Sequence, residues 1–313
     1  MRKIIGKIRK FWSLGKSIEK QLEFLSFQVG SSTLSLRDVS DMKKKHLWDW
    51  ELKVTSQWGE DGIIDFIIKR LEIPHVRILE IGSGNFIECN SRFAAENLGA
   101  SVVAVDARDD LISTLKSMDI FWKGQIFPKQ LYVNPENIQE VFEDSARLLT
   151  GIDIVSLDID GNDYWVLRNL NLSGVRCVIV EINPLFGAKA SISIPRDDNF
   201  NRTTAHHSWL YFGMSFQAAT SLMKQKGFEL IGSNRVGNNL FFVRDSDARI
   251  FADCISTARE YREAKYWRIR ESRDVSGNLT YLSVQDSLEL IGNCKVQDVV
   301  TQEIKTLNEF EVG

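Results

Sequence analysis

Apolar and polar positions along the chain change period repeatedly, and the changes mark out elements. Short, nearly unbroken apolar runs fall near 77–81, 101–106, 125–133, 152–158 and 175–182. Runs of this length, bounded by Gly, Pro, Asn and Asp, suit strands buried on both faces. Between them, apolar residues recur at helical spacing over 90–98, 109–118, 135–148 and 162–170. Strand and helix in alternation predict a parallel sheet covered by helices, an α/β fold wound both ways. A further helix holds Ile63, Ile64, Phe66, Ile67 and Leu71, and Pro74 stops it. After a helical stretch at 214–226, two short strands at 227–232 and 239–243 flank a turn of Ser233, Asn234, Gly237 and Asn238, which predicts a closing hairpin. The pattern divides the chain into a basic helical extension (1–53), the α/β domain (54–245) and a charged, mostly helical C-terminal extension (246–313).

Composition narrows the picture. With 313 residues, 43% of them hydrophobic, and eight Trp, the chain can bury a large core. Its net charge of −3 excludes a general nucleic-acid binder. Cys89, Cys177, Cys254 and Cys294 are scattered without a C-x-x-C pair, so they read as reduced thiols in a cytoplasmic protein. No run approaches the length of a membrane span, and Lys7, Arg9 and Lys10 interrupt the one stretch a signal peptide would need. The N-terminus differs from the whole. Arg2, Lys3, Lys7, Arg9, Lys10, Lys16 and Lys20 share it with apolar residues near helical spacing, which suits peripheral contact with the inner face of an anionic membrane or packing on the domain.

The chemistry concentrates where strands end. Arg77-Ile78-Leu79-Glu80-Ile81-Gly82-Ser83-Gly84 is a strand running into a glycine turn, and Val102-Val103-Ala104-Val105-Asp106 is a second strand ending in an acid. Glycine lets the turn take positive φ and lets a ligand approach. An acid after the second strand can accept both hydroxyls of a ribose. A dinucleotide fingerprint would require a third glycine where Ile87 stands, and it has no use for Glu80. The fourth strand ends in Asp158-Ile159-Asp160-Gly161-Asn162-Asp163-Tyr164-Trp165, and the fifth in Glu181-Ile182-Asn183. Alternation puts Asp158 and Asp160 on one side of an extended segment. So many carboxylates together call for a positive partner, such as a hard cation, beyond the one acid a helix cap would use. The loop 187–212 carries His206 and His207, either of which could take a proton, with Asp163 as a rival base; Trp209 and Tyr211 could stack on a sugar or sit in the core.

Acid-x-Gly-x-Gly at Glu80-Ile81-Gly82-Ser83-Gly84 resembles motif I of the class I S-adenosylmethionine (SAM) methyltransferases. Phe86 or Asn85 replaces that motif's usual third glycine. The resemblance implies a seven-stranded, mostly parallel Rossmann-like sheet. It also implies a SAM site built from Glu80, Gly82, Ser83, Gly84, Asp106, Ala107 and Asn134, the last near adenine. The acids after strands four and five partly resemble the metal-dependent O-methyltransferases, which implies Mg²⁺ or another divalent cation on Asp158, Glu181 and Asn183. The catalytic Lys of those enzymes falls at Gly161, so their base is absent, and Asp158, Asp160, Asp163, His206 and His207 are the candidates here.

Ser56-Gln57-x-Gly59-Glu60-Asp61-Gly62, the Asp158–Trp165 segment and Tyr211-Phe212-Gly213-x-Ser215 are similar to FkbM-like, glycan-modifying methyltransferases. That implies a sugar or glycan hydroxyl, of bacterial polysaccharide or lipopolysaccharide type, as acceptor. A nicotinamide-dependent oxidoreductase and a non-catalytic, methyltransferase-like scaffold are the competing readings. The sequence is silent on oligomeric state.

Overall fold

The computed structural model describes residues 2–41, 44–118, 120, 125–258 and 272–312. Five strands, β1 (Arg77–Ile81), β2 (Ser101–Asp106), β3 (Gln125–Gln130), β4 (Ile154–Leu157) and β5 (Cys177–Glu181), run parallel. A two-residue strand, β6 (Ile192–Ser193), lies apart; β7 (Phe228–Ser233) and β8 (Asn239–Arg244) complete the main sheet. The order is β3-β2-β1-β4-β5-β8-β7, with β8 antiparallel to both of its neighbours. The sheet therefore has the seven strands and the closing hairpin that the pattern predicts. Pro128 is tolerated because β3 is an edge strand. The chain winds outward from β1 through β2 to β3, then restarts at β4 on the other side of β1. That reversal opens a crevice at the carboxyl ends of β1 and β4, where ligands enter open α/β sheets.

Strand alternation sorts the core into two layers. Leu79, Ile81, Val103, Val105, Val155, Leu157, Val178 and Val180 pack under α5 (Ile138–Leu149), α6 (Asp163–Asn169) and α8 (Phe216–Gln225). Ile78, Val102, Ala104, Ile154, Cys177 and Ile179 face the other way, toward α2 (Glu60–Arg70), α3 (Arg92–Leu98) and α4 (Leu111–Met118). Both faces are covered, so the strands carry no polar face; hence the unbroken apolar runs.

The acidic motif ahead of α2 is a brace. Asp61 is buried and accepts hydrogen bonds from the backbone N–H groups of Val54, Thr55 and Ser56 at 2.7–2.9 Å. Glu60, fully buried, accepts from the N–H groups of Trp58 and Gly59, and from the amides of Asn234 and Asn239 in the β7–β8 hairpin.

The C-terminal segment differs from the helical extension predicted for it. Phe251 and Cys254, the latter in α9 (Ala252–Ala258), are buried in the core beneath β7, so the chain does not leave the body at 246. After α10 (Val284–Ile291), β9 (Lys295–Asp298) pairs antiparallel with both β10 (Ile304–Thr306) and β6 in a second sheet. At the other end, α1 (Arg2–Ser35) meets the body through its C-terminal part, from the Glu23–Arg92 ion pair onward. There Phe27 stacks on Phe93 at 5.6 Å, and Gly30 lies so close that a Cβ would meet Val54 at 2.5 Å. Among the described residues no helix is long and apolar enough to cross a membrane.

Candidate functional site

The crevice between β1 and β4 holds a cleft of about 390 Å³, within the range of small-molecule sites. Its walls are strand ends and the turns that follow them: Gly82 and Gly84; Asp106, Ala107 and Arg108; Leu131–Val133; and Asp158–Asn162. Phe200 closes it from the loop beyond β6.

The glycine turn is shaped by β4. Gly82 has φ +89°, and a Cβ there would sit 1.5 Å from the backbone oxygen of Asp158. Its N–H bonds the Val105 carbonyl at 2.8 Å, which ties the turn to β2. Gly84, at φ +59°, faces open space. The Gly84 N–H donates to Asp106 Oδ2 at 2.7 Å, and the Arg108 N–H to Asp106 Oδ1 at 2.9 Å. One lone pair on each carboxylate oxygen is thus used to fix the acid, and one remains toward the cleft. Burial raises the Asp106 pKa, and the N–H groups of Arg108 and Gly84 pull it down.

Glu80 does not reach the cleft. It is buried and accepts from the N–H groups of Asn90 (2.7 Å) and Ser91 (3.0 Å) and from the Ser91 hydroxyl, all at the start of α3. Burial pushes its pKa up against these donors. Phe86, standing where the third glycine is usual, takes φ +70° and buries its ring completely in the core under α3. Ser83 points inward: it is buried, and its hydroxyl has no hydrogen-bond partner among the described residues. Asn134 is also absent from the cleft wall. Its side-chain oxygen accepts from the N–H groups of Glu136 and Asn137 in the turn before α5. Glu80, Ser83 and Asn134 therefore do not line the cleft as the resemblance implied, whereas Leu131, Tyr132 and Val133, just past β3, do.

The acid cluster is rearranged too. Ligand oxygens of Asp158, Asp160 and Glu181 lie within 4.8 Å of one another. Asn183, the further ligand that the resemblance implied, is engaged inside the protein. It is buried, its amide donates to the carbonyls of Leu210 and Phe212, and its oxygen accepts from the Leu185 N–H, so it splices the turn after β5 to the loop. Asp163 is no base either. Both of its oxygens accept backbone N–H groups, of Ile159 and Gly161, at 2.8 Å inside the protein. Burial lifts its pKa to about 7 despite those donors. Asn162, which might have capped α6, instead joins Asp197 of the loop through both ends of its amide.

Asp158 and Glu181 form a close carboxyl pair. Burial first, then the Glu181 charge, raises the Asp158 pKa well above the usual carboxylate range. Glu181 is held in turn by the Asn238 amide at 3.2 Å. Asp160, exposed at φ +56°, pairs with Arg202 in α7 (Arg202–Ala205). Arg202 also donates to the Trp209 carbonyl at 2.7 Å and lies 3.9 Å over the Phe212 ring.

His206 and His207 follow α7 and are not among the residues lining the cleft. The His206 Nδ1 is 2.7 Å from the Ser208 hydroxyl, and burial, then His207, lowers its pKa. Tyr211 donates to the Lys295 carbonyl and Trp209 packs against Arg273, so neither lines the cleft. Arg108 and Tyr132 went unmarked in the sequence. For both the signal was present, since each stands one or two residues beyond a strand end.

Two raised carboxyl pKa values fix the sign of a pH effect. A group whose folded pKa lies above its unfolded value stabilises the fold fully below the unfolded pKa, about 4, and that contribution is lost as pH rises through the folded value. For Asp163 the loss runs up to about pH 7, and for Asp158 beyond the usual carboxylate range. Thermal unfolding should therefore show the midpoint falling between about pH 5 and 8. Asp158→Asn should raise the midpoint at pH 8 by roughly 2–4 °C, about 1 kcal/mol, and flatten the profile. A lower midpoint for the variant at every pH would mean that the pair is not repulsive.

No protein-family model matches the chain, and no curated protein matches it. Solved structures do match, at low identity. A Methanococcus jannaschii fibrillarin, a pre-rRNA processing protein, is 12% identical over 55% of this chain and 67% of its own, with a TM-score of 0.35. An O-methyltransferase family protein from Burkholderia thailandensis is 11% identical over 59% of this chain and 57% of its own, at 0.34. An Aeropyrum pernix fibrillarin, itself in complex with natively bound SAM, is 14% identical over 54% of this chain and 66% of its own, at 0.32. Likeness at these TM-scores carries no argument about this chain beyond the topology already described.

Proposed function

We propose that the chain is a SAM-dependent methyltransferase. The observation that carries this reading is the position of Glu80. In a dinucleotide fold the pyrophosphate occupies the helix N-terminus that follows the first glycine turn. Here that helix begins only at Arg92, and the N–H groups ahead of it, those of Asn90 and Ser91, are taken by a buried carboxylate. The site keeps an acid for a ribose, Asp106, and gives up the seat for a pyrophosphate. A nucleoside without phosphates fits it.

The charge of the cleft agrees. Asp106, Asp158 and Asp160 line it with one Arg, a setting that favours a cationic ligand over a doubly anionic one. SAM supplies a methyl group on a positively charged sulfur. In this reading Asp106 accepts both ribose hydroxyls, the Gly82–Gly84 backbone allows close approach, and Ala107, Leu131 and Val133 form the apolar wall. Asp158, its pKa raised by burial and by the Glu181 charge, takes the proton of an acceptor hydroxyl, and the Arg202 ion pair holds Asp160 beside it. Orientation in the closed cleft supplies much of the rate gain. A sugar or glycan hydroxyl as acceptor is the finer proposal, supported by the polar rim of Tyr132, Asp160 and Arg108 and the resemblance of the Asp158–Trp165 segment.

A second role for the acids rests on the grouping of Asp158, Asp160 and Glu181, a set of hard oxygens that suits a divalent cation. Calorimetric titration with S-adenosylhomocysteine, with and without Mg²⁺, tests both readings. One-site micromolar binding is expected. If the acids hold a cation, Mg²⁺ alone should raise the thermal midpoint of the wild type and not of Asp158→Asn. NADH binding in place of S-adenosylhomocysteine would overturn the methyltransferase reading in favour of an oxidoreductase. Cofactor binding with no turnover on any nucleotide sugar or glycan would favour a scaffold.

A further inference from the structure

The described side chains of α1 ahead of Phe27 are exposed. From Ser17 to Ser26 every residue is exposed, and beyond the Glu23–Arg92 ion pair the helix packs on the body at Phe27, Gly30 and Leu34. On a helical wheel those three contact residues lie on one face. Leu14, Ile18, Leu22, Leu25 and Val29, spaced 4, 4, 3 and 4 apart, lie on the opposite face. Each is between 47% and 64% exposed. This is an unbroken apolar stripe about 22 Å long, at 1.5 Å per residue, on a helix whose packed face is turned the other way. A helix of this kind is stable only when something covers the stripe.

Charge identifies the cover. Residues 2–23 carry seven Lys and Arg against two Glu, in a chain whose net charge is −3. A second copy of the helix would bring this positive charge against itself. It would also need a longer seam, since the heptad run Ile18-Leu22-Leu25-Val29 is broken at Gly15, whose Cβ position meets nothing. We infer that α1 lies in the interface of an anionic membrane, with its Leu14–Val29 stripe among the acyl chains and its basic residues at the headgroups. The surface would then hold the body close to the bilayer, with the helix parallel to it rather than across it.

Flotation of the full-length protein with vesicles tests this. Vesicles of phosphatidylcholine with a minority of phosphatidylglycerol should bind it at least about tenfold more tightly than phosphatidylcholine alone, and about 0.5 M salt should reverse most of the gain. The Leu22→Glu/Leu25→Glu variant should lose binding while its thermal midpoint stays at the wild-type value, because both side chains are exposed. Absence of vesicle binding by the wild type would overturn the inference. So would sedimentation showing a wild-type dimer that the same variant converts to monomer, because the stripe would then belong to a second copy. The inference does not depend on the cofactor reading, and S-adenosylhomocysteine binding should be equal in both proteins.

Discussion

Replacing Gly82 with alanine should abolish S-adenosylhomocysteine binding and lower stability by several kcal/mol, about 3 or more. The new Cβ would stand 1.5 Å from the backbone oxygen of Asp158 and 2.5 Å from its carbonyl carbon. Neither atom can yield alone. The Asp158 N–H is bonded to the Ile81 carbonyl at 2.9 Å, and β1 and β4 are paired up to Ile81 and Leu157. Relief would require prying the two central strands apart at the end where the cleft lies. Gly84→Ala is the control. It also adopts positive φ, but its Cβ would meet nothing, so it should cost only about 1–2 kcal/mol of backbone strain and keep the fold. Thermal unfolding and calorimetry on both variants give the comparison. A Gly82→Ala protein with a wild-type midpoint would show that the turn is not packed as described.

Asp106→Ala should weaken S-adenosylhomocysteine binding about a hundredfold, near 3 kcal/mol, with a much smaller effect on the thermal midpoint. The carboxylate has two jobs: it fixes the Gly84 and Arg108 N–H groups, and it presents two acceptors to the cleft. Asp106→Asn separates them. The amide oxygen can keep the Gly84 bond, but the NH₂ now faces a donor and a hydroxyl, so the loss should be intermediate. Calorimetry measures both, and unchanged affinity in the alanine variant would reject the ribose role.

The sheet was legible because its two faces are both buried. Unbroken apolar runs such as Val102–Val105 have no other comfortable place, and the turn after β1 announced itself through its glycines, of which the backbone of β4 makes Gly82 obligatory. Side-chain roles at the strand ends were less legible for a physical reason. The residue types that bind ligands there are those that satisfy loose backbone N–H groups. Asp163 and Asn134 were read as site residues and are turn braces; Asp106, in a like position, is a brace that also faces the cleft. No spacing rule separates these cases, because the difference lies in which way the next loop folds. Asn183 was misplaced by the same ambiguity, its amide being spent on carbonyls nearly thirty residues away. The strands β9 and β10, four and three residues long, were missed because alternation over so few positions is indistinguishable from chance.

The fastenings of the loop beyond β5 include Asn162 to Asp197, Asp160 to Arg202, and β6 to β9. Two of these fasten it to the carboxyl edge of β4 and the third to the far end of the chain. The roof of the cleft is thus held by the end of β4 and by the C-terminal segment, whereas the glycine turn is tied to β2 through the Gly82 and Gly84 N–H groups. Substitutions can accumulate in the roof and its C-terminal support without touching the floor. If the proposed reading holds, a lineage built on this plan is free to change its acceptor while keeping the seat of its cofactor.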